Sequence, residues 1–288
     1  MDASSSTGRL GLIAGNGVFP RLVAQGAREV GVEVVACAHV GETDPELEHE
    51  VASCTWVRVG ELGKIIRTFK QAGCERAVMA GGIKKARLFS GFRPDLRGAA
   101  FLARMRTLYD DKLLRGVAEE LESEGIRVIP STEYLPRLVP QPGVLSRRAP
   151  KAKERADIAF GFEVAKAIGA FEIGQTVVVK DGLVLAVEAV EGTDAAIRRG
   201  GELARSGAVV VKVSKPQQDL RFDVPAVGPE TIRLMAEVKA TVLALEARRT
   251  IILERERTLE AAAAAGISVV AVEMEPATGT AGETPARR

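Results

Sequence analysis

The sequence predicts an α/β protein of two domains: an amino-terminal Rossmann-like parallel sheet and a carboxy-terminal mixed α/β domain. Three observations lead there. In the first half, short apolar runs of strand length alternate with segments whose apolar residues recur at helical spacing. Between residues 130 and 150 the pattern is broken by Pro130, Pro136, Pro140, Pro142 and Pro150, with Gly143. In the second half, two β-branched runs flank Lys180-Asp181-Gly182, a hairpin signal foreign to a purely parallel sheet.

Element by element, Arg9 to Ala14 reads as a buried strand, followed by Gly15-Asn16-Gly17 and a helix from Phe19 to Val30. Val32 to Cys37 is the next strand. Glu61 to Ala72 is a helix, with Leu62, Ile65, Ile66 and Phe69 on one face. Ala77 to Ala80 is a strand ending at Gly81-Gly82, and a helix from Asp111 to Glu124 leads into Arg127-Val128-Ile129. Residues 131–150 are expected to be a proline-rich linker between domains 9–130 and 151–275. Beyond it, Lys151 to Ala170 is a helix, 176–179 and 183–187 pair as a hairpin, and 194–204 is a helix. The strand at 208–213 follows, then a helix at 229–239, a strand at 241–245, a mostly helical stretch at 251–265 and a last strand at 268–272. Residues 1–8 and 276–288 are polar, Gly/Thr/Ser-bearing termini expected to be disordered.

Composition narrows the function. The 288 residues carry 40 basic and 38 acidic side chains, and a net charge of +2 supplies no field for nucleic acid. Aromatic residues make up 4%, too few to stack single strands. Cys37, Cys54 and Cys74 are scattered and have no His at metal spacing, so buried thiols in a reducing cytoplasm are expected rather than a zinc site. His39 and His49 flank an acidic stretch, Gly41 to Pro45, and read as surface or loop histidines. Residues 1–7 are polar, so no secretory leader is expected, and the weakly polar run from Ala261 to Val272 is too short for a membrane span.

The chemistry gathers where apolar runs end. Val184 to Val187 leads into Glu188, Glu191, Thr193 and Asp194; Ala208 to Val211 leads into Lys212, Lys215, Gln218, Asp219, Arg221 and Asp223. Strand ends are where α/β proteins place their sites. Carboxylates offer hard oxygen ligands to Mg2+ or Mn2+, and lysines offset phosphate charge, so the pattern suits an anionic substrate handled with a divalent ion. Glu188, Glu191, Asp194 and Asp223 are the expected metal ligands, with Asp110 and Asp111 a weaker pair since one of them serves as a helix cap. Thr193 or Asp194 serves equally well as a cap for the helix it opens. Gly15, Asn16, Gly17, Gly81, Gly82 and Lys84 lie after presumed parallel strands and are expected near a phosphate, although the third glycine of a dinucleotide fingerprint is missing and tight turns account for the glycines as well.

Several of these stretches together resemble the LpxI type of UDP-2,3-diacylglucosamine pyrophosphatase: Leu145 to Pro150, Asp157 to Gly161, Ala186 to Asp194 and Lys215 to Pro225, with Gly11 to Gly17 and Gly81-Gly82 in the first half. The resemblance spans roughly residues 9 to 272. It implies a magnesium-dependent hydrolase of lipid A biosynthesis that cleaves UDP-2,3-diacylglucosamine to UMP and 2,3-diacylglucosamine 1-phosphate (lipid X). It further implies a homodimer of two-domain subunits, cytoplasmic and in passing contact with the inner-membrane surface, with Asp223 as the key catalytic aspartate. Asp219, Lys215 and Lys212 are expected to act beside it, and Thr193, Gln218 and Arg221 to touch substrate. Members of the family commonly show Gly-Asp-Asp where this chain has Tyr109-Asp110-Asp111. On this reading residues 151–275 hold the acyl chains and pyrophosphate, and the glycine turns face the nucleotide. The competing reading is a non-enzymatic nucleotide- or lipid-binding sensor, which would bind these molecules and release no UMP.

Overall fold

The computed structural model describes residues 8–83, 93–104 and 110–273 of the chain. It divides into two compact units, Met1–Arg137 with Gln218–Val224, and Leu138–Gln217 with Pro225–Arg288.

In the first unit, β1 (Arg9–Ala14), β2 (Glu33–His39), β3 (Ser53–Val57), β4 (Arg76–Ala80) and β5 (Arg127–Val128) form one sheet in the order β3-β2-β1-β4-β5. Every pairing is parallel. Helices α1 (Phe19–Glu29), α2 (Leu62–Gln71), α3 (Leu96–Arg104) and α4 (Asp110–Glu122) accompany it. In α2 the spacing of Leu62, Ile65, Ile66 and Phe69 brings all four onto a core shared with Val35, Cys37, Ala77 and Met79. Gly73, at φ 72°, ends that helix: its N–H reaches Lys70 and the next N–H reaches Phe69, the paired bonds of a Schellman stop. Phe69 is fully buried, and truncating it to Ala should cost about 3–5 kcal/mol.

The second unit holds β6 (Gly143–Val144), α5 (Ala152–Ala170), β7 (Thr176–Lys180), β8 (Leu183–Val187), α6 (Thr193–Ala204), β9 (Val209–Lys212), β10 (Ala226–Val227), α7 (Pro229–Glu237), β11 (Val242–Glu246), β12 (Ile251–Ile252), α8 (Arg255–Ala264) and β13 (Ser268–Val272). Its main sheet runs β6-β13-β11-β9-β7-β8, with β10 and β12 paired separately. β13, β11 and β9 are parallel, while β7 and β6 run against their neighbours. Both faces of β7, β9, β11 and β13 are covered, which is why these strands are largely apolar rather than alternating, whereas the edge strands β6 and β8 are more exposed. Val177, Val179, Val209 and Val211 meet Ile158, Phe162 and Ala165 of α5 on one face. Val178, Val210, Leu243 and Leu245 meet Ile197 of α6 and Met235 of α7 on the other.

The Asp-Gly hairpin forms as the sequence predicts. Asp181 and Gly182 both have positive φ, 54° and 74°, the signature of a type I′ turn. Asp157 of α5, only 5% exposed, accepts from the N–H groups of Asp181 at 3.0 Å and Gly182 at 2.7 Å. That accounts for a carboxylate facing the core side of an amphipathic helix.

Some expectations change. The 131–150 stretch contains a 3-10 turn at Ser131–Tyr134, and its strand β6 pairs with β13. Residues 218–224, expected in the carboxy-terminal domain, group instead with the first unit. The reason is local: Phe222 packs on the first unit's core and Arg221 donates to Glu122 of α4 at 3.0 Å. Ile251–Ile252, expected to begin a helix, is a short strand beside Ala226–Val227. His39 is buried at the end of β2, not a surface residue, with Nδ1 donating to the Ala14 carbonyl at 2.9 Å; burial lowers its pKa.

Candidate functional site

In the second unit the strand directions bring charged residues to one edge. β8 runs parallel to β9, since β7 is antiparallel to both, so the ends of β8, β9 and β11 and the start of β7 lie together. In register, Lys212 faces Thr176 on one side and Leu245 on the other. Lys212 is 7% exposed and Glu188 9%, burial that neither charge tolerates without hydrogen bonds. The Lys212 ammonium donates to Thr193 Oγ1 at 2.9 Å, and that hydroxyl donates to Glu188 Oε1 at 2.9 Å. The second Glu188 oxygen accepts from the Gln175 N–H at 3.4 Å. Thr193 opens α6, so the chain Lys212–Thr193–Glu188 stands at a helix N-terminus, where the dipole favours negative charge.

Close approach builds this corner. A Cβ on Gly174 would lie 2.0 Å from the Glu188 carbonyl oxygen, so only glycine lets the chain entering β7 lie against the chain leaving β8.

The other expected residues of this unit separate from that group. Glu191 pairs with Arg199 at 3.1 Å, and Asp194 is exposed on the first turn of α6. Lys215 pairs with Glu172 at 2.8 Å, a bond that holds the Glu172 carboxyl below its ordinary pKa. Glu188, Glu191 and Asp194 therefore do not converge as a metal cage. Among the described residues no group of three or more His, Cys, Asp or Glu is placed to hold a metal ion.

In the first unit, the segment 218–224 makes a tight acid-rich turn. The Phe222 and Asp223 N–H groups donate to the Asp219 carbonyl at 3.1 and 3.2 Å. Arg221 grips the Asp219 carboxylate through Nε at 3.0 Å and Nη2 at 2.8 Å, which holds that carboxyl below its ordinary pKa. The Arg221 guanidinium also lies over the Phe222 ring, 4.9 Å from its centre. Asp219 and Arg221 thus have a structural occupation. Asp223 differs: it is exposed, and one of its oxygens accepts from the buried Gln218 amide at 2.6 Å. Its carboxylate is oriented but reachable.

The glycine turns sit at the switch point of the parallel sheet, between β1 and β4. Two of their N–H groups are engaged with each other's strand ends. Gly15 donates to Ala80 at 2.8 Å and Asn16 to Gly82 at 2.7 Å. A Cβ on Gly15 would lie 2.3 Å from the Gly82 oxygen, and one on Gly81 would lie 2.3 Å from the Asn16 oxygen. Close pairing of two strand ends explains Gly15 and Gly81 without a phosphate. Gly17, at φ 81°, has open space around it, and the Asn16 amide donates to Glu42 at 2.9 Å. Asp110 and Asp111 open α4. Their side chains, like Lys84, lie outside the described residues.

Comparison with known proteins agrees with this two-part organisation. The LpxI N-terminal domain matches residues 9–138, and the LpxI C-terminal domain matches 141–270. The chain belongs to the LpxI family. A relative from Caulobacter vibrioides, named UDP-2,3-diacylglucosamine pyrophosphatase LpxI, is 34% identical over 276 residues, covering 92% of this chain and 98% of its own length. A solved structure of Rhizobium etli pyruvate carboxylase T882A with acetyl coenzyme-A is similar at 14% identity, over 66% of this chain and 17% of that one. Its TM-score of 0.26 is too low to bear on fold or site. The LpxI N-terminal match ends beside Arg137, where the two units divide, and the Gln218–Val224 excursion lies inside the C-terminal match.

Sequence reasoning missed a second charged group at the same sheet edge: Lys166, Ser214, Glu246 and Arg249. Lys166 donates to both Glu246 oxygens at 2.7 Å, and Arg249 donates to Ser214 Oγ at 2.7 Å.

Proposed function

We propose that this LpxI-family chain hydrolyses the pyrophosphate of UDP-2,3-diacylglucosamine, releasing UMP and 2,3-diacylglucosamine 1-phosphate in lipid A biosynthesis. The observation that carries the reading is the near-complete match to a relative named for that activity, over 92% of this chain and 98% of the relative. The site chemistry supports it. In the reaction, water adds to one phosphorus, the bridging P–O bond breaks, and the water proton needs an acceptor. Asp223, exposed and oriented by Gln218, is the carboxylate suited to position and deprotonate that water. The Lys212 ammonium, at the N-terminus of α6, suits the charge that grows on the phosphate oxygens.

Magnesium fits this donor set in one way. Mg2+ takes one or two protein carboxylates and completes its shell with substrate phosphate oxygens and water. Asp223 is the residue that would hold it; bound there, Mg2+ or Mn2+ would neutralise pyrophosphate charge. The chain is expected to act as a homodimer on the cytoplasmic face of the inner membrane. Among the described residues no helix is long and apolar enough to cross a membrane.

The test is direct. Purified chain, magnesium and UDP-2,3-diacylglucosamine should yield UMP; excess chelator should stop the release, and magnesium or manganese should restore it. Saturable binding of substrate with no UMP released would favour the sensor reading instead.

A further inference from the structure

Glu246 is the last residue of β11, a strand otherwise made of Val242, Leu243, Ala244 and Leu245 and buried along its whole length. Packing gives no reason for a carboxylate there, since burying one costs several kcal/mol before its partners compensate. Glu246 is 7% exposed, and its oxygens accept from Lys166 Nζ at 2.7 Å, from the Ser214 N–H at 2.7 Å and from Ser214 Oγ at 2.9 Å. Arg249 stands 3.5 Å away. All of these contacts converge on one residue. Lys166 also donates to the Ser214 carbonyl at 2.8 Å, and Arg249 donates to its hydroxyl at 2.7 Å. Every polar group of Ser214, which is fully buried, is therefore held by this network.

Ser214 lies two residues after Lys212 and one before Lys215. A peptide fixed at its N–H, its carbonyl and its side chain cannot shift without breaking charge-assisted bonds. The network also carries two cations against one carboxylate, so it leaves positive charge at an edge suited to an anion. Burial lowers the Lys166 pKa, with Glu246 opposing the shift. The pair is thus sensitive to loss of either partner.

We propose that Glu246 and Lys166 are positioning residues for pyrophosphate hydrolysis, acting through Ser214 to fix the backbone that presents Lys212 to the diphosphate. The proposal rests on the lipid pyrophosphatase reading above. It separates from a merely structural role by an argument about buried ion pairs: removing one partner leaves an uncompensated charge, whereas replacing both by apolar residues relieves it.

The experiment uses the full chain, with steady-state UMP release from UDP-2,3-diacylglucosamine and thermal melting measured together. Glu246→Gln should lower kcat by about 10- to 100-fold while KM changes by less than about threefold. Ser214→Ala, which keeps the ion pair but removes a buried hydroxyl bonded to both Glu246 and Arg249, should lower kcat about fivefold and lower Tm as well. The paired variant Lys166→Met/Glu246→Leu should melt higher than Glu246→Leu alone, yet turn over no faster. Recovery of turnover along with Tm in the paired variant would overturn the positioning role, as would wild-type kcat in both Glu246→Gln and Ser214→Ala. A wild-type chain that releases no UMP overturns the pyrophosphatase reading itself, a different outcome from an active wild type whose variants keep full kcat.

Discussion

Thr193→Val tests the Lys212–Thr193–Glu188 chain with almost no change in side-chain volume. The hydroxyl accepts from the Lys212 ammonium and donates to the Glu188 carboxylate, both at 2.9 Å. Hydrogen bonds to charged groups contribute about 1.5–3 kcal/mol each. A single hydroxyl serves both, and Glu188 keeps the Gln175 N–H, so the two do not sum fully. The expected loss is about 2–4 kcal/mol, a fall in Tm on the order of 10 °C for the second unit. Turnover should fall by about 10- to 100-fold, because Lys212 loses the hydroxyl that orients it. Thr193→Ser keeps the hydroxyl and should stay within about threefold of wild type in both respects. The assay is UMP release alongside a melting curve, with Glu188→Gln and the double variant completing a cycle. A coupling energy near zero, or a Val variant that melts and turns over as wild type does, would refute the chain as an energetic unit.

Three further outcomes are expected. Asp223→Ala should fold normally and lose most turnover, since an exposed carboxylate adds little packing; unchanged turnover in a folded variant removes Asp223 from the mechanism. Asp157→Ala should lower stability by about 2–3 kcal/mol in urea unfolding, because two turn N–H groups lose a buried charged acceptor, while Asp157→Asn, with one acceptor oxygen, should lose about half as much. Asp219 has its folded pKa depressed first by the Arg221 hydrogen bond. Its stabilising contribution is therefore complete above the unfolded carboxyl value near 4 and disappears as pH falls through the lower folded value. Stability curves measured from about pH 2 to 6 should fall less steeply at the acid end for Asp219→Asn than for wild type, and identical slopes would contradict the coupling.

The parts of this fold that were legible in the sequence are those in which one physical cause dominates. Strands buried on both faces are apolar runs, and the Asp-Gly turn admits few backbone conformations. Ser53–Val57 escaped because it is an edge strand, only partly buried, and its Ser-Cys-Thr-Trp-Val run lacks the apolar density of the interior strands. The grouping of Gln218–Val224 with the first unit escaped for a different reason. It depends on Arg221 meeting Glu122, a residue 99 positions away, and on Phe222 joining a core built from the other half of the chain. Local propensity carries no trace of such a choice of partner. The glycine turns lie at strand ends as the sequence predicts, and at Gly15 and Gly81 the demand for glycine comes from the facing backbone.

The candidate site shows where the signal lay. Lys212 and Glu188 were found because each ends or follows an apolar run with a charge, where a neutral residue would extend the strand more cheaply. Glu246 obeys the same rule, closing Val242-Leu243-Ala244-Leu245 with a carboxylate. Its signal is masked in the sequence by the charged Arg248-Arg249 that follows. Its partner Lys166 is 80 residues away on a helix, where lysine is unremarkable. In the folded sheet Leu245 stands directly beside Lys212, so the charges that end β9 and β11 occupy neighbouring positions on one edge. A charge terminating one buried strand is ambiguous. Here the two charges point to opposite faces of the sheet, Lys212 beside Leu245 toward Thr193 of α6 and Glu246 toward Lys166 of α5, so each needs hydrogen bonds of its own. At this edge those bonds run through Thr193 for Lys212 and through Ser214 for Glu246, which makes these two small hydroxyl residues the points where substitution should lower stability and turnover together.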